Sequence, residues 1–544
     1  MTNVIETDIA IIGAGVAGAL AAYHLSQQGL KVALLDAGLE TSRPEAVERY
    51  HRSTSKGANS PYMSNPLAPM PQSSDDYYKN VGSTAFNGLY MRGVGGTTWH
   101  WTGFALRLRP DDLSMQTKFG VAEDWPLSYD DLAPWYERAE NEMGVAGFMG
   151  ENYGAPRTKD YPLPGIPSSY LDAYVSPRIK SMQLSLSPFP QARNSIAFQG
   201  RPPCCGNNNC VPICPVHAKY DATVHVEKAR QLGASIYSSH VITRLNSNAE
   251  GQIESAEFLN DRKQKGIVKA QYFMVACHAI ENPRLLLLSK GPHTPKGVAN
   301  SSGLVGTHLM SQMGFNSRGL MPDPIYPYRG PQQTSGVVEG RNDPSNRSQK
   351  AAIGTSVMND GTHPFFGPQQ TAAKLLAKGV YGKTLADQVN DLSSRQLRFN
   401  SSIEILPNKG NRVGLHPTLK DPAGLPVPEI KLAIDAYTQR GIDWAIERHQ
   451  QMFKTLKATE VTHDSQAESD TAIIAGTARM GRDPSRSVVD LNLQSHDHQN
   501  LYILGASAHI TAPINPPTLT IAALALKAAD HLQKSIAAKT RGSA

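Results

Sequence analysis

The chain has 544 residues, is 40% hydrophobic and 18% charged, and carries a net charge of +6; that length suits two or three domains or one large two-lobed enzyme of ordinary globular composition. Its lysines and arginines are scattered without a basic run, which argues against nucleic acid as a partner. No apolar run approaches the roughly 18 residues of a membrane span, so no direct membrane span is expected, and the N-terminus lacks a basic segment followed by an apolar one. Taken alone, the sequence implies a cytoplasmic protein, or a periplasmic one if a signal-bearing partner exports it folded.

In chain order, residues 8–12 read as a strand buried on both faces, running through Gly13, Gly15 and Gly18 into an alanine-rich helix. Gly13 permits the tight turn, Gly15 lets the backbone approach a pyrophosphate, and Gly18 lets helix and strand pack closely. A second strand, 31–36, ends in Asp36, placed to hold a ribose hydroxyl. Strand, glycines, helix, strand and acid arriving in this order predict a dinucleotide site; the motif alone does not divide FAD from NAD.

Residues 52–75, 320–347 and 359–369, rich in Pro, Gly and Asn, read as surface loops or lids. Gly93, Gly95 and Gly96 precede Thr97, Thr98, Trp99, His100 and Trp101. Such glycines let backbone amides crowd a phosphate or flavin ring, and the tryptophans can wall a pocket; His100 is either a cofactor contact or a histidine packed between two indoles. Residues 124–142 predict a capped helix.

Cys204, Cys205, Cys210 and Cys214 fall within eleven residues among Gly, Asn and Pro, the composition of a loop folded around a soft metal centre. With only Cys277 besides, there is no disulfide framework. An iron–sulfur cluster and a structural zinc on four thiolates are the two readings, and zinc sites more often come as CxxC pairs. Cys277, after the apolar run 272–276, reads as a buried strand residue. Residues 239–245, with Val241, read as a strand near the adenine, and 281–287 as a helix close to the cofactor. Alternating segments at 398–406, 412–415 and 429–434 predict antiparallel strands of one substrate-domain sheet. Residues 500–507 read as a strand ending in Gly505 and Ala506, leading past Asn515 and Thr518 into a helix whose N-terminus faces the ligand.

This return of the C-terminus beside the N-terminal fingerprint resembles the glucose–methanol–choline flavoprotein superfamily, and the resemblance implies FAD. The runs 93–101, 201–215, 298–306, 476–481, 487–490 and 518–526 make it similar, over nearly the whole chain, to catalytic subunits of bacterial electron-transfer-linked FAD sugar and polyol dehydrogenases. The fold implied is α/β, a discontinuous Rossmann-like FAD-binding domain with an inserted α+β substrate domain built on an antiparallel sheet. Residues 1–115, 195–312 and 466–544 would form the FAD domain, 116–194 a substrate or cap segment, and 313–465 the substrate domain. Cofactor contacts are expected at Gly13, Gly15, Gly18, Asp36, Gly95, Gly96, His100, Val241, Gly505, Ala506 and Thr518. Pyranose-oxidising relatives tether the flavin's 8α-methyl to a His at the place of His100, so covalent attachment is open. The group's cluster is three-iron, which needs three thiolates. Adjacent Cys204 and Cys205 do not easily both point inward, so Cys204, Cys210 and Cys214 are the expected ligands, with Cys205 left for a task such as pairing with a partner subunit. A four-iron cluster on all four cysteines is the alternative. A small companion subunit and a cytochrome or other one-electron acceptor are the implied partners.

Three positions depart from the pattern. Ile473 stands where relatives usually have a His, and a branched alkyl group takes no hydroxyl proton. Asn515 lies one residue further from Thr518, with Pro516 in its slot, and the family's Met-Asp-His-Pro run reads Met310-Ser-Gln-Met313. His509, on the loop that should pass the flavin, is the candidate replacement base, with Asn515 the second catalytic candidate; His308 and His463 read as surface or structural. The leading expectation is a dehydrogenase moving a hydride from a sugar- or polyol-like substrate to flavin N5, then single electrons through the cluster to an external acceptor. Ile473 keeps two others open: a biosynthetic flavoenzyme acting on an amine or other non-sugar, and a catalytically silent FAD-binding subunit.

Overall fold

The computed structural model describes residues 3–54, 56–71, 77–150, 153–341, 345–361 and 367–542. Parts of the three expected loops (55, 72–75, 342–344 and 362–366) lie outside the described residues. Ile9–Ile12, Val32–Leu35 and Phe273–Val275 are apolar on both faces, as parallel strands covered by helices on either side must be. Strand Asn3–Ile12 accordingly runs parallel to Val32–Leu35 on one side and to Lys265–Val275 on the other. Ser235–Tyr237 extends the sheet beyond Val32–Leu35. Lys265–Val275 is shared on its far edge: its first half pairs antiparallel with Ile253–Leu259, and Phe273–Val275 pairs parallel with Leu501–Ile503. The helix Val16–Ser26 packs against Thr223–Gln231 and Thr518–Gly542. Ala17, Ala21 and Ala22 on one side and Ala522, Ala525 and Ala529 on the other are buried, and methyl-sized side chains let helices approach without leaving voids.

A second, antiparallel sheet runs Thr459–His463, Met310–Leu320, Gln396–Glu404, Ile353–Met358, Ser335–Val337, Leu186–Pro188, with Glu468–Ala475 also paired to Met310–Leu320. Helix Ala436–Thr455 lies on it. Asp435 caps that helix, accepting the Thr438 N–H at 2.9 Å; Tyr437, Ile442, Ala445, Met452 and Phe453 form its buried face. This is the α/β fold with an antiparallel substrate half that the sequence implies.

Several local expectations change. Arg412–Lys420 and Pro426–Lys431 leave the large antiparallel sheet and form a hairpin of their own with Lys79–Asn80. Glu468–Ala475, expected within the last FAD-domain segment, belongs to the antiparallel sheet. Ser335–Val337, read as loop, is a strand. Cys277 sits two residues past its strand, where its thiol donates to the Ile12 carbonyl at 3.1 Å. The helix expected at 124–142 starts at Tyr129, because Ser128 and Asp131 form a reciprocal capping box. Among the described residues no helix is long and apolar enough to cross a membrane.

Candidate active site

A cavity of about 470 Å³ opens where the parallel strands end. Ile12, Gly13, Asp36, Ala276 and Gly505 form one wall; Gly354, Ser356, Asn400 and Ser402 of the antiparallel sheet form the other. Ligands of open α/β sheets bind beyond the carboxyl ends of the strands.

At the strand end, Gly13 has φ +106°, and a Cβ there would lie 2.4 Å from the Ala276 carbonyl oxygen. Gly18 does not line the cavity; a Cβ on it would lie 1.9 Å from the Gly13 oxygen. Gly15 is different, because a Cβ there would meet no protein atom. Gly15 is the N-cap of helix Val16–Ser26 and supplies no side-chain cap, so the first-turn N–H groups are free to meet an anion. Asp36 accepts the Ala14 and Gly38 N–H groups at 2.8 Å each, and burial pushes its carboxyl above the usual range against those two bonds. Each of its oxygens retains a lone pair for a ribose hydroxyl. His240, Val241 and Ile242 close this end, while Ala506 and Thr518 bring the C-terminal helix to it. These groups fit a pyrophosphate-bearing dinucleotide such as FAD.

Deeper in, Gly96, His100 and Trp101 line the cavity, whereas Gly95 and Trp99 stand behind it. Gly95 donates its N–H to the Ala14 carbonyl at 2.9 Å and so ties this run to the first turn. Burial and the nearby Lys219 charge pull the His100 imidazole down to about 4; it is neutral at physiological pH.

The far end combines apolar Phe104, Phe189, Ile473 and Ile514 with polar Gln333, Ser356, Asn400, Ser402 and Asn515. Asn515 donates its amide N–H to the Arg107 carbonyl, leaving its Oδ1 buried and without a partner among the described residues. Ile473 presents only hydrocarbon. The expectation for His509 is corrected by its placement. The loop from Gly505 to Asn515 does pass the cavity, but His509 is not among the residues lining it; the ring packs 5.2 Å from Trp125. His308 and His463 also lie elsewhere, bonded to Thr307 and Ser317 respectively.

The cysteine loop abuts the same wall, since Val211 lines the cavity with His100 and Trp101. Cys210 and Cys214 are buried, Cys204 is half-buried and Cys205 is exposed; all are free thiols. Burial raises the Cys204 thiol, the Arg193 charge opposes it, and Cys210 and Cys214 are near enough to add to the rise. Among the described residues no three His, Cys, Asp or Glu side chains are grouped to hold a single metal ion. Two buried cations flank the loop. Lys219 donates to the carbonyls of Trp99, Trp101 and Cys210 at 2.6–2.8 Å, and Arg193 keeps Nε and Nη1 unpartnered among the described residues.

Sequence reasoning missed three features. Glu281 is buried and accepts the hydroxyls of Tyr77 and Tyr90; against burial, the charges of Arg92 and Arg284 hold its carboxyl down to about 2. His278 lines the cavity at φ +94°, stacked on Tyr90 with ring centres 4.1 Å apart. Arg341 lines the far end from a segment read as loop. None of the three carries a local signal, because each depends on what the fold sets beside it.

The core histidines have a consequence for stability. Burial pulls both His449 and His509 down to about 3, so below pH 6.5 the unfolded chain takes up protons that the folded one refuses. Stability is therefore present at neutral pH and lost as pH falls from about 6.5 toward 3, by about 2 kcal/mol per histidine at pH 5. Urea midpoints at pH 7 and pH 5 should show this, and His509→Leu should remove part of the difference; an unchanged difference would contradict it.

Residues 407–525 match the family model described as GMC oxidoreductase, and residues 8–46 one described as FAD dependent oxidoreductase. The fructose dehydrogenase large subunit of Gluconobacter japonicus is 36% identical, over 97% of this chain and 98% of its own. The 2-methyl-1,2-propanediol dehydrogenase of Mycolicibacterium austroafricanum is 27% identical, over 98% and 96%. In fold, the chain is similar to pyridoxine 4-oxidase from Mesorbium loti, with TM-score 0.65, 18% identity and coverage of 97% and 99%.

Proposed function

Because the chain belongs to the glucose–methanol–choline family of FAD-dependent oxidoreductases, enzymes of alcohol donors, we propose that it is a dehydrogenase of a polyhydroxy, sugar-like substrate that passes electrons out through its cysteine loop. The supporting observation is the shared wall: Val211 of the loop lines the cavity beside His100 and Trp101. When bound, FAD would supply the hydride acceptor and an iron–sulfur cluster the one-electron outlet.

The chain's own residues then divide the work. The vacant Oδ1 of Asn515 accepts the hydrogen bond of the hydroxyl to be oxidised, whose proton is released to solvent as the hydride leaves carbon. Gln333, Ser356, Asn400 and Ser402 supply the alternating donors and acceptors a polyol needs. Ile473, Ile514, Phe104 and Phe189 keep water from the reacting carbon. Cys204, Cys210 and Cys214 are the proposed cluster ligands, because Cys210 and Cys214 are buried and Cys204 half-buried, whereas Cys205 is exposed. Lys219 and Arg193 would offset the negative charge of thiolate ligands. The exposed Cys205 marks the side from which a companion or acceptor subunit would approach.

The test is anaerobic mixing of the flavin-loaded protein with a panel of sugars, polyols and amines, followed at the flavin's visible band. Bleaching by a polyhydroxy compound is expected, with a rate flat between about pH 6 and 9 and unchanged in His509→Leu. Iron and acid-labile sulfide should be present and lost in Cys210→Ser, with bleaching retained. Bleaching by amines alone would replace the substrate class, and no bleaching at all would leave a silent FAD-binding subunit.

A further inference from the structure

At the far end of the cavity, among the described residues, Arg347 and Arg109 are paired with carboxylates and Arg341 is not. Arg347 meets Glu404 at 2.8 and 3.0 Å and Asp112 at 3.4 Å. Arg109 meets Asp111 at 3.0 Å, and its backbone N–H occupies the second oxygen of Asp112 at 2.9 Å. Arg341, 4% exposed, lines the cavity with Nε, Nη1 and Nη2 all lacking a hydrogen-bond partner among the described residues. Its guanidinium lies 5.1 Å from the Tyr153 ring centre, a contact that steadies the plane of the group and satisfies none of its N–H donors. Burial, opposed by the nearby charge of Asp112 and by Tyr153 and aided by Arg109 and Arg347, pulls it down to about 10, so it is still cationic at neutral pH. The other charged residues on the cavity wall, Asp36, Arg92, Glu281 and Arg284, belong to the dinucleotide end.

A buried cation with a full set of unused donors is costly unless something pairs with it, and here the open space in front of it is the substrate cavity. We propose that the substrate carries a carboxylate, which Arg341 clamps while Asn515 receives the hydroxyl to be oxidised. A guanidinium without a hydrogen-bond partner among the described residues matches an anion, and its planar fork matches the two oxygens of a carboxylate. A phosphate dianion would bring a second charge with no partner in the wall. The oxidation of the hydroxyl rests on the dehydrogenase reading above; the anion subsite itself does not.

The experiment uses the flavin-loaded protein, wild type, Arg341→Leu and Arg341→Lys, each checked for flavin content. A sugar acid, the matched neutral polyol and the matched sugar phosphate are compared by anaerobic bleaching. Butyrate, a monocarboxylate with no hydroxyl to oxidise, is titrated against the flavin spectrum. The sugar acid should be preferred. Arg341→Leu should lower the acid-over-neutral ratio of kcat/KM by about 100-fold, mainly through KM, because a lost ionic partner is a loss of binding; Arg341→Lys should recover part of it. A preference for the neutral polyol or the phosphate, or an equal fall for acid and polyol in Arg341→Leu, would overturn the inference and leave the dehydrogenase standing. If nothing bleaches but butyrate perturbs the wild-type spectrum and not that of Arg341→Leu, the subsite stands and the dehydrogenase falls. Neither bleaching nor perturbation would overturn both.

Discussion

Replacing Glu140 by alanine is expected to lower the unfolding free energy by about 3–5 kcal/mol, the cost of stranding a buried charge. Glu140 holds two guanidiniums at once. Its oxygens accept from Arg107 at 2.7 and 2.8 Å and from Arg157 at 2.8 Å twice. The three side chains are 1–3% exposed, so water does not reach the arginines once the carboxylate is gone. The effect should extend to turnover, because the backbone carbonyl of Arg107 anchors the side-chain amide of Asn515. A urea unfolding series of Glu140→Ala and Glu140→Gln measures the first part, and KM for the substrate the second. A midpoint within experimental scatter of wild type would mean that another anion or water enters the site.

The second large effect separates two glycines of one motif. Gly18→Ala should cost several kcal/mol and abolish FAD binding, because its Cβ would fall 1.9 Å from the Gly13 carbonyl oxygen and both atoms belong to backbone that cannot rotate away. Helix and strand would have to separate. Gly15→Ala should fold as well as wild type without FAD, since its backbone is extended and its Cβ would meet no protein atom. It should nonetheless weaken FAD binding, because the added methyl faces the cavity. Flavin content after purification, with thermal midpoints of the flavin-free proteins, distinguishes the two. Equal midpoints for both variants would refute the packing role of Gly18.

The sequence made the flavin half readable because its signals are local. Gly13, Gly15, Asp36 and the buried runs around them fall in one short stretch between residues 8 and 36, and the structure sets them on one cavity wall. The antiparallel half was much less legible. Met310–Leu320 buries Ser311, Gln312 and Ser317 completely, which breaks the apolar alternation that marks a strand. Those polar groups are affordable only through distant partners: Gln312 donates to the Pro513 carbonyl at 2.8 Å, and Ser317 meets His449 at 2.7 Å. His509 shows the opposite failure. Its place on the right loop was legible, and its side of that loop was not, because the direction of a side chain is decided by what packs around it. Arg341 is the extreme case, since its meaning lies in the hydrogen-bond partners it lacks among the described residues.

The flavin-binding sheet also sets a timetable. Asn3–Ile12 leaves the ribosome early and Lys265–Val275 about midway, but the edge of Lys265–Val275 is completed only by Leu501–Ile503. Until translation has passed this last strand, the nascent chain holds half a cofactor site and an open strand edge, while the antiparallel half emerges in between. A polypeptide that stops before Leu501 would lack the part of the dinucleotide wall that Gly505, Ala506 and Thr518 supply, so the two ends of the chain must meet before that wall is complete.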